Sequence, residues 1–197
     1  MYDWVGNTKS VYTTLGASNH SDFERAKNDY YATEPKAMKL LLEKETFSDN
    51  IWECACGQGH LAKVLIEHGY NVRSTDLVYR GFGEKQPLDF LTVNTIFNGD
   101  IITNPPYKFA LEFVKKALDT VNAGYKVAMF LKLQFLEGKA RKKFFLDNPP
   151  QKVYVSSSRL NCAFNGDFAQ NKSSAVAYAW FLWVKGLKHD PFIKWIN

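Results

Sequence analysis

Residues 51–62, Ile51-Trp52-Glu53-Cys54-Ala55-Cys56-Gly57-Gln58-Gly59-His60-Leu61-Ala62, decide how the rest of the chain is read. The apolar start, Ile51 to Cys54, predicts a short strand that runs into a glycine-containing turn. HLAKVLIEHG (60–69) then predicts a helix with Leu61, Val64 and Leu65 on one face and Gly69 as its stop. Without side chains, Gly57 and Gly59 let the backbone turn tightly and come close to a ligand.

Working outward, strands and helices alternate. Upstream, Thr33-Glu34-Pro35 offers a cap residue and an early-turn proline for a helix through AMKLLLEK (37–44). Downstream, Asn71 to Thr75 reads as a second strand closed by Asp76. After an irregular stretch, Asp100 to Thr103 is a strand that leads into Asn104-Pro105-Pro106-Tyr107. A helix over 108–121 sets Phe109, Phe113, Val114, Ala117, Leu118 and Val121 at helical spacing. Lys126 to Leu133 and Gln151 to Val155 predict strands around a basic helical stretch, and Ala175 to Val184 a long buried one. Residues 1–28, rich in Ser, Thr, Asn and Gly, read as an N-terminal arm, and residues 29–197 as one domain. This alternation predicts an α/β fold, a doubly wound, mostly parallel sheet. Ligands in such sheets bind beyond the strand carboxyl ends, where strand order reverses. The turns CGQG, Thr75-Asp76 and NPPY all fall at such ends and are expected to line one crevice.

The 197 residues, 46% hydrophobic and 23% charged, suit a single domain with a full core. No apolar run reaches about 18 residues, and the N-terminus lacks the pattern of a signal peptide, so no membrane partner and a cytoplasmic location are expected. Cys54, Cys56 and Cys162 show no framework spacing and are expected as reduced thiols. With no matching His or Cys pair, no metal site is expected. A net charge of +5 is compatible with a polyanionic partner.

Asp76 lies 17 residues after Gly59, at the end of the next strand, where a carboxylate can hold ribose hydroxyls. Gly57 to Ala62 also satisfies the G-x-G-x-x-G/A dinucleotide pattern, so the glycines alone leave NAD and S-adenosylmethionine both open. Glu53, four residues before Gly57, is positioned to face a ligand's amino group. Asp89 can take an adenine amino group with Phe90 flanking the ring; the other reading of Asp89 is a turn or helix-cap carboxylate after Pro87.

NPPY is the most informative tetrapeptide. An adenine amino group is a poor nucleophile because its lone pair is delocalised into the ring. Acceptors that bind both of its N–H bonds draw the nitrogen toward tetrahedral geometry. The Asn104 side-chain oxygen and the Pro105 carbonyl can supply them, held in advance by the backbone restrictions of Pro105 and Pro106. Tyr107 offers a face for stacking a base.

On these segments the chain resembles the class I S-adenosylmethionine-dependent adenine-N6 DNA methyltransferases of phages and mobile elements. The resemblance rests on NDYYATEPKAMKLLL, WECACGQGHLA, Ser74-Thr75-Asp76, Leu88-Asp89-Phe90, NPPY and AVAYAWFLWVKG, spanning roughly Ala17 to Gly186. It implies a Rossmann-like methyltransferase fold with an antiparallel last strand and S-adenosyl-L-methionine as cofactor. By the same resemblance Tyr31 and Thr33 touch the methionine end. Glu53, Cys54, Gly57 and Gly59 hold the amino acid part, Asp76 the ribose, and Asp89 with Phe90 the adenine. Asn104, Pro105, Pro106 and Tyr107 take the target base, with Asn104 also touching the cofactor. Many relatives carry a separate target-recognition domain, which is not expected within these 197 residues. Recognition then falls to loops 77–88 and 156–174 and to the arm, or to a recognition or restriction partner chain.

Lys132, Lys139, Arg141, Lys142, Lys143, Lys152, Arg159 and Lys172 concentrate late in the chain, where they can neutralise phosphates or form a solvated face. Lys132 and Arg159 are candidate substrate contacts. Phe164 and Phe168, in the long polar loop, are candidates for clasping a flipped base opposite Tyr107, or for packing under the loop. His60 reads as a helix-start residue rather than a general base. The expected activity is methylation of adenine N6 in DNA with base flipping. Alternatives using the same NPPY chemistry are RNA adenine or protein glutamine. An NAD-dependent dehydrogenase would leave NPPY unexplained, and a silent nucleic-acid-binding module would bind no cofactor.

Overall fold

A computed structural model describes residues 30–164, 168 and 176–197. The expected arm, residues 1–28, lies outside them, as do Lys172 and Ala175. Nine strands and four α-helices follow in chain order: β1 (Tyr31–Thr33), α1 (Pro35–Leu42), β2 (Asn50–Glu53), α2 (His60–Glu67), β3 (Asn71–Ser74), β4 (Asp100–Thr103), α3 (Ala110–Thr120), β5 (Lys126–Lys132), α4 (Lys139–Asp147), β6 (Lys152–Ser156), β7 (Cys162–Phe164), β8 (Tyr178–Val184) and β9 (Phe192–Ile196).

The main sheet has seven strands in the order β3-β2-β4-β5-β8-β6-β9. The pairs β3–β2, β2–β4 and β4–β5 are parallel, whereas β8 runs antiparallel to both neighbours. The mostly parallel, doubly wound sheet with an antiparallel β8 is the one expected. From β2 the chain winds outward to β3, then crosses to the other side of β2 to lay down β4. The order therefore reverses between β2 and β4, and a crevice opens beyond Glu53 and Thr103.

Alternation along the strands feeds two cores. Val127, Met129 and Leu131 of β5 join Phe113, Val114 and Ala117 of α3 on one face. Ala128 and Phe130 join Met38 and Leu41 of α1 and Val64 and Leu65 of α2 on the other. A sheet covered on both faces explains why β5 and β8 read as unbroken apolar runs. At the amino ends of the strands, Asp100 accepts hydrogen bonds from the Ser48 and Lys126 amides, both 2.6 Å. Nearby, Glu45 takes Lys126 at 2.9 Å and also Lys152 and the Tyr154 hydroxyl.

Several local expectations are corrected. Thr33 does not cap α1; it belongs to β1, and Glu34 holds the cap position without a side-chain bond to the helix, its carboxylate instead accepting the Asn161 amide at 3.2 Å. The helix expected from 108 starts with a 3-10 turn, Tyr107–Phe109, and becomes α-helical only at Ala110, leaving Phe109 outside the core. Two features were not expected. β1 and β7 form a separate antiparallel ribbon, and β9 adds a parallel strand to the edge of β6. β9 has no burial signature to reveal it, since only Ile196 of its five residues is buried. No described helix is long and apolar enough to cross a membrane.

Candidate active site

At the reversal point lies a cavity of about 980 Å3. This is at the upper end of the range for small-molecule sites. Its lining includes Tyr31, Thr33, Glu53, Cys54, Asp76, Asp89, Phe90, Asn104 through Tyr107, and Lys132, so most of the expected residues are brought together.

Gly57 and Gly59 shape the first wall indirectly. Both have positive φ, 54° and 79°, which L side chains rarely adopt. A Cβ on Gly57 would lie 2.3 Å from the Tyr30 ring, and one on Gly59 2.4 Å from the Phe82 ring. Both glycines thus sit beneath the protein's own aromatic rings, and neither lines the cavity; their neighbours Cys56 and His60 do. Tyr30 is held in place by its hydroxyl, which accepts from the Gln58 amide and reaches Gln58 Oε1, both at 3.3 Å. The Arg80 guanidinium lies 4.6 Å over its ring. Sequence reading passed over Tyr30, Arg80 and Phe82; the doubled tyrosine Tyr30-Tyr31 was the available signal.

Asp76 works as a staple. Its carboxylate accepts the Gly57 amide at 2.8 Å and the Val78 amide at 2.9 Å, joining the glycine loop to the loop after β3. It still faces the cavity, and a carboxylate has lone pairs to spare for hydroxyl donors.

Glu53 is 2% exposed, and its Oε2 has no hydrogen-bond partner among the described residues. Burial pushes its carboxyl well above the usual range; the Ala62 backbone offsets part of this and the Asp76 charge adds to it. A buried carboxyl with an open acceptor facing a cavity is suited to an ammonium group, which would restore its ionisation. Burial likewise raises the Cys54 thiol strongly, Cys56 to about 12 and Cys162 to about 11. All three remain protonated at neutral pH and are poor nucleophiles. Burial and Lys63 lower the His60 pKa, which leaves its imidazole neutral.

Asp89 realises the capping alternative: its Oδ1 accepts the Leu91 amide at 3.0 Å at the start of the 3-10 turn Phe90–Thr92, while the residue also lines the cavity. Phe90 is a core residue at 1% exposure, T-shaped to Trp52 at 5.3 Å and tilted to Phe113 at 5.4 Å. Phe90 also lines the cavity, as a ring fixed by this core packing.

On the opposite wall, the Asn104 side chain donates from Nδ2 to the Tyr31 carbonyl at 3.0 Å. A carbonyl can only accept, so the amide must present its NH2 there and turn Oδ1 the other way. That Oδ1 is buried and has no partner among the described residues. The β1–β7 ribbon, in register Tyr31↔Phe164 and Thr33↔Cys162, carries both Tyr31 and Cys162 to this wall. The Tyr107 hydroxyl contacts Cys162 Sγ at 3.1 Å, and burial raises its pKa well above that of a free phenol. Tyr107 also neighbours Tyr178 at 5.7 Å and Tyr31 at 6.1 Å, and Lys132 Nζ stands 4.9 Å over its ring. Cys162 and Tyr178 had no sequence signal, because both reach the site through strand pairings distant in the chain.

The remaining expected contacts lie elsewhere. Phe168 stands edge-on to His60 at 5.3 Å and does not line the cavity. The side chain of Phe164 falls outside what the structure describes. Arg159 is exposed and away from the lining, and Lys152 is engaged with Glu45. Arg141 reaches the cavity, but its guanidinium bonds the carbonyls of Phe135 at 2.8 Å and Gln134 at 3.2 Å, and also that of Glu137. Lys139, Lys142 and Lys143 of α4 are exposed.

No family model and no curated protein matches the chain. Solved structures do match in fold. A protein of Pyrococcus horikoshii assigned as an RNA methyltransferase gives a TM-score of 0.61 at 15% identity, over 92% of this chain and 100% of the other. A modification subunit assigned to a type I restriction enzyme of Vibrio vulnificus gives 0.58 at 11%, over 85% of this chain and 47% of the other. An S-adenosylmethionine-dependent O-methyltransferase of Thermotoga maritima gives 0.53 at 13%, over 79% and 67%. The fold is therefore the Rossmann-like fold of class I methyltransferases; at such identities the likeness extends to architecture and no further.

Proposed function

We propose that the chain is an S-adenosylmethionine-dependent methyltransferase acting on the N6 amino group of adenine in DNA, with the base taken out of the stack into the cavity. The observation that carries this reading is the buried Oδ1 of Asn104, which has no partner among the described residues and is aimed by the bond from Nδ2 to the Tyr31 carbonyl. An unpaired buried acceptor is unfavourable by about 1–3 kcal/mol, and it persists where a ligand donor satisfies it.

The residues opposite fit the cofactor. The open Glu53 acceptor suits its ammonium, the Asp76 carboxylate its ribose hydroxyls, and Asp89 with Leu88 its adenine. When bound, S-adenosylmethionine supplies the activated methyl group. The chain's own work is binding and orientation. Asn104 Oδ1 and the Pro105 carbonyl accept the two amino hydrogens and localise the nitrogen lone pair. The two prolines hold these acceptors in place, so no reorganisation is needed as charge develops. Tyr107, with its hydroxyl engaged by Cys162, holds a fixed ring as a stacking wall. The product ammonium is acidic enough to release its proton to water, so no side-chain base is required.

A nucleic acid is preferred over protein because Lys108, just after the NPPY turn, and Lys139 and Lys142 of α4 are exposed cations suited to phosphates. DNA is preferred over RNA because of the resemblance carried by NPPY and the glycine turn. The fold is also shared with a restriction-enzyme modification subunit. RNA adenine is the second reading, supported by the match to the Pyrococcus horikoshii protein. Loops 77–88 and 156–174 with the N-terminal arm, or a partner chain, supply sequence recognition.

The test is transfer from labelled S-adenosylmethionine to unmethylated DNA, RNA and a protein extract, with the products identified. N6-methyladenine in DNA supports the proposal; label in RNA alone or on protein glutamine overturns the substrate. Failure to bind the cofactor overturns the enzyme assignment.

A further inference from the structure

The rim of the cavity carries an exposed aromatic ring for which the reaction has no use. Phe109 lies two residues beyond Tyr107, lines the cavity and is nevertheless 43% exposed. Its position is firm: its amide donates to the Pro106 carbonyl at 2.9 Å, and the next residue, Ala110, is buried as the first of α3. Lys108, also exposed, holds its ammonium 5.4 Å over the ring. An aromatic ring and a cation on one short turn match the two parts of a nucleotide, a flat base and a phosphate.

We propose that Phe109 occupies the gap left in the duplex when the target base enters the cavity, with Lys108 on an adjacent phosphate. The inference rests on the reading of the chain as a nucleic-acid adenine methyltransferase and goes beyond it by naming the residue that holds the flipped state open. Removing a base from a duplex leaves its neighbours unstacked, and an inserted apolar ring restores part of that contact. The geometry suits this role. Tyr107 lines the cavity where the base is received, and Phe109 stands at its mouth, one 3-10 turn away. The exposed aromatics of β9, Phe192 and Trp195, do not line the cavity, so they have no access to the same step.

The effect is read on duplex and single-stranded substrate in parallel, because only a duplex has a gap to fill. With the full chain and unmethylated DNA, kcat/KM is measured for wild type, Phe109→Ala and Phe109→Trp on native and on heat-denatured DNA. Phe109→Ala is expected to lose about ten-fold or more on native DNA and less than about three-fold on denatured DNA, the scale of one lost base–ring stack. Phe109→Trp is expected to restore most of the native activity. Cofactor affinity, measured by calorimetry, should be unchanged in both variants, and Ile66→Ser, on an exposed position of α2, should match wild type throughout. Equal losses on the two substrates, or no loss on native DNA, would overturn the assignment of Phe109. Wild-type transfer to protein with none to DNA or RNA would instead overturn the nucleic-acid reading itself, and the inference with it.

Discussion

Replacing Asn104 with Asp changes one NH2 to an oxygen and leaves shape almost untouched. In the wild type, Nδ2 donates to the Tyr31 carbonyl across 3.0 Å. In Asn104→Asp at neutral pH, two acceptors would face each other at that distance in a buried setting. The carbonyl loses its donor, which is unfavourable by about 1–3 kcal/mol, and the carboxylate turns away. If the whole of that is lost from the oriented state, the methyl-transfer step slows by about 5- to 150-fold, at 1.4 kcal/mol per factor of ten. The sign of the pH dependence follows. Burial and a facing carbonyl raise a carboxyl pKa, so the neutral acid gains population as pH falls. Its O–H can donate to Tyr31 while the other oxygen faces the substrate, as the amide does. Single-turnover rates at saturating labelled cofactor, from about pH 8 down to about pH 5.5, should climb toward wild type in Asn104→Asp. Asn104→Ala should stay inactive across the range, with cofactor affinity within a few-fold of wild type. A wild-type rate for Asn104→Asp at pH 8, with no slope, would refute the idea that the Tyr31 carbonyl aims the catalytic oxygen.

Gly59→Ala places a Cβ at φ 79° and 2.4 Å from the Phe82 ring. It should lower Tm by about 5–10 °C, and adding Phe82→Ala should recover only the contact part; an unchanged melt would mean the loop is not held as described. The folded-state pKa of Glu53 is raised above its ordinary 4.5. Its stability contribution is therefore full below pH 4.5 and is lost as pH rises through the folded value. Glu53→Gln should flatten that dependence in cofactor-free melts and weaken cofactor binding in calorimetry; parallel pH profiles for the two proteins would count against the role. Burial alone would raise the Glu45 pKa, yet the bonds from Lys152, Tyr154 and Lys126 outweigh it and hold it below 4.5. Its contribution is present above pH 4.5 and is lost as pH falls through the folded value. Glu45→Gln should destabilise by about 2 kcal/mol in urea melts at pH 7, less than for fully buried pairs because both lysines are partly exposed. The transfer rate per folded molecule should not change, and a slowed rate would tie the far end of the sheet to the site.

Much of the architecture was legible because it is written in neighbouring residues. The run from Ile51 to Leu65 contains strand, turn and helix in one continuous pattern, and NPPY after Thr103 carries its own backbone restrictions. The strand–helix alternation placed CGQG, Asp76 and NPPY at strand carboxyl ends, and they do line or border one cavity. Where the local pattern was weak or ambiguous, reading failed. β9 is exposed at four of its five residues and shows no alternation, and Thr33 looks like a cap but pairs in a strand.

What the sequence determined by itself is the winding of the sheet and the residue types that meet at its reversal point, since periodicity and turn chemistry act over a few residues. What only the tertiary structure decided is how those residues are aimed. The Tyr31 carbonyl reaches Asn104 across 73 residues of chain, and Cys162 reaches Tyr107 across 55. The pairing of β1 with β7 sets both contacts, and no local pattern records it. Such contacts form only when the folded chain makes distant segments compete for the same volume and the same unpaired polar groups.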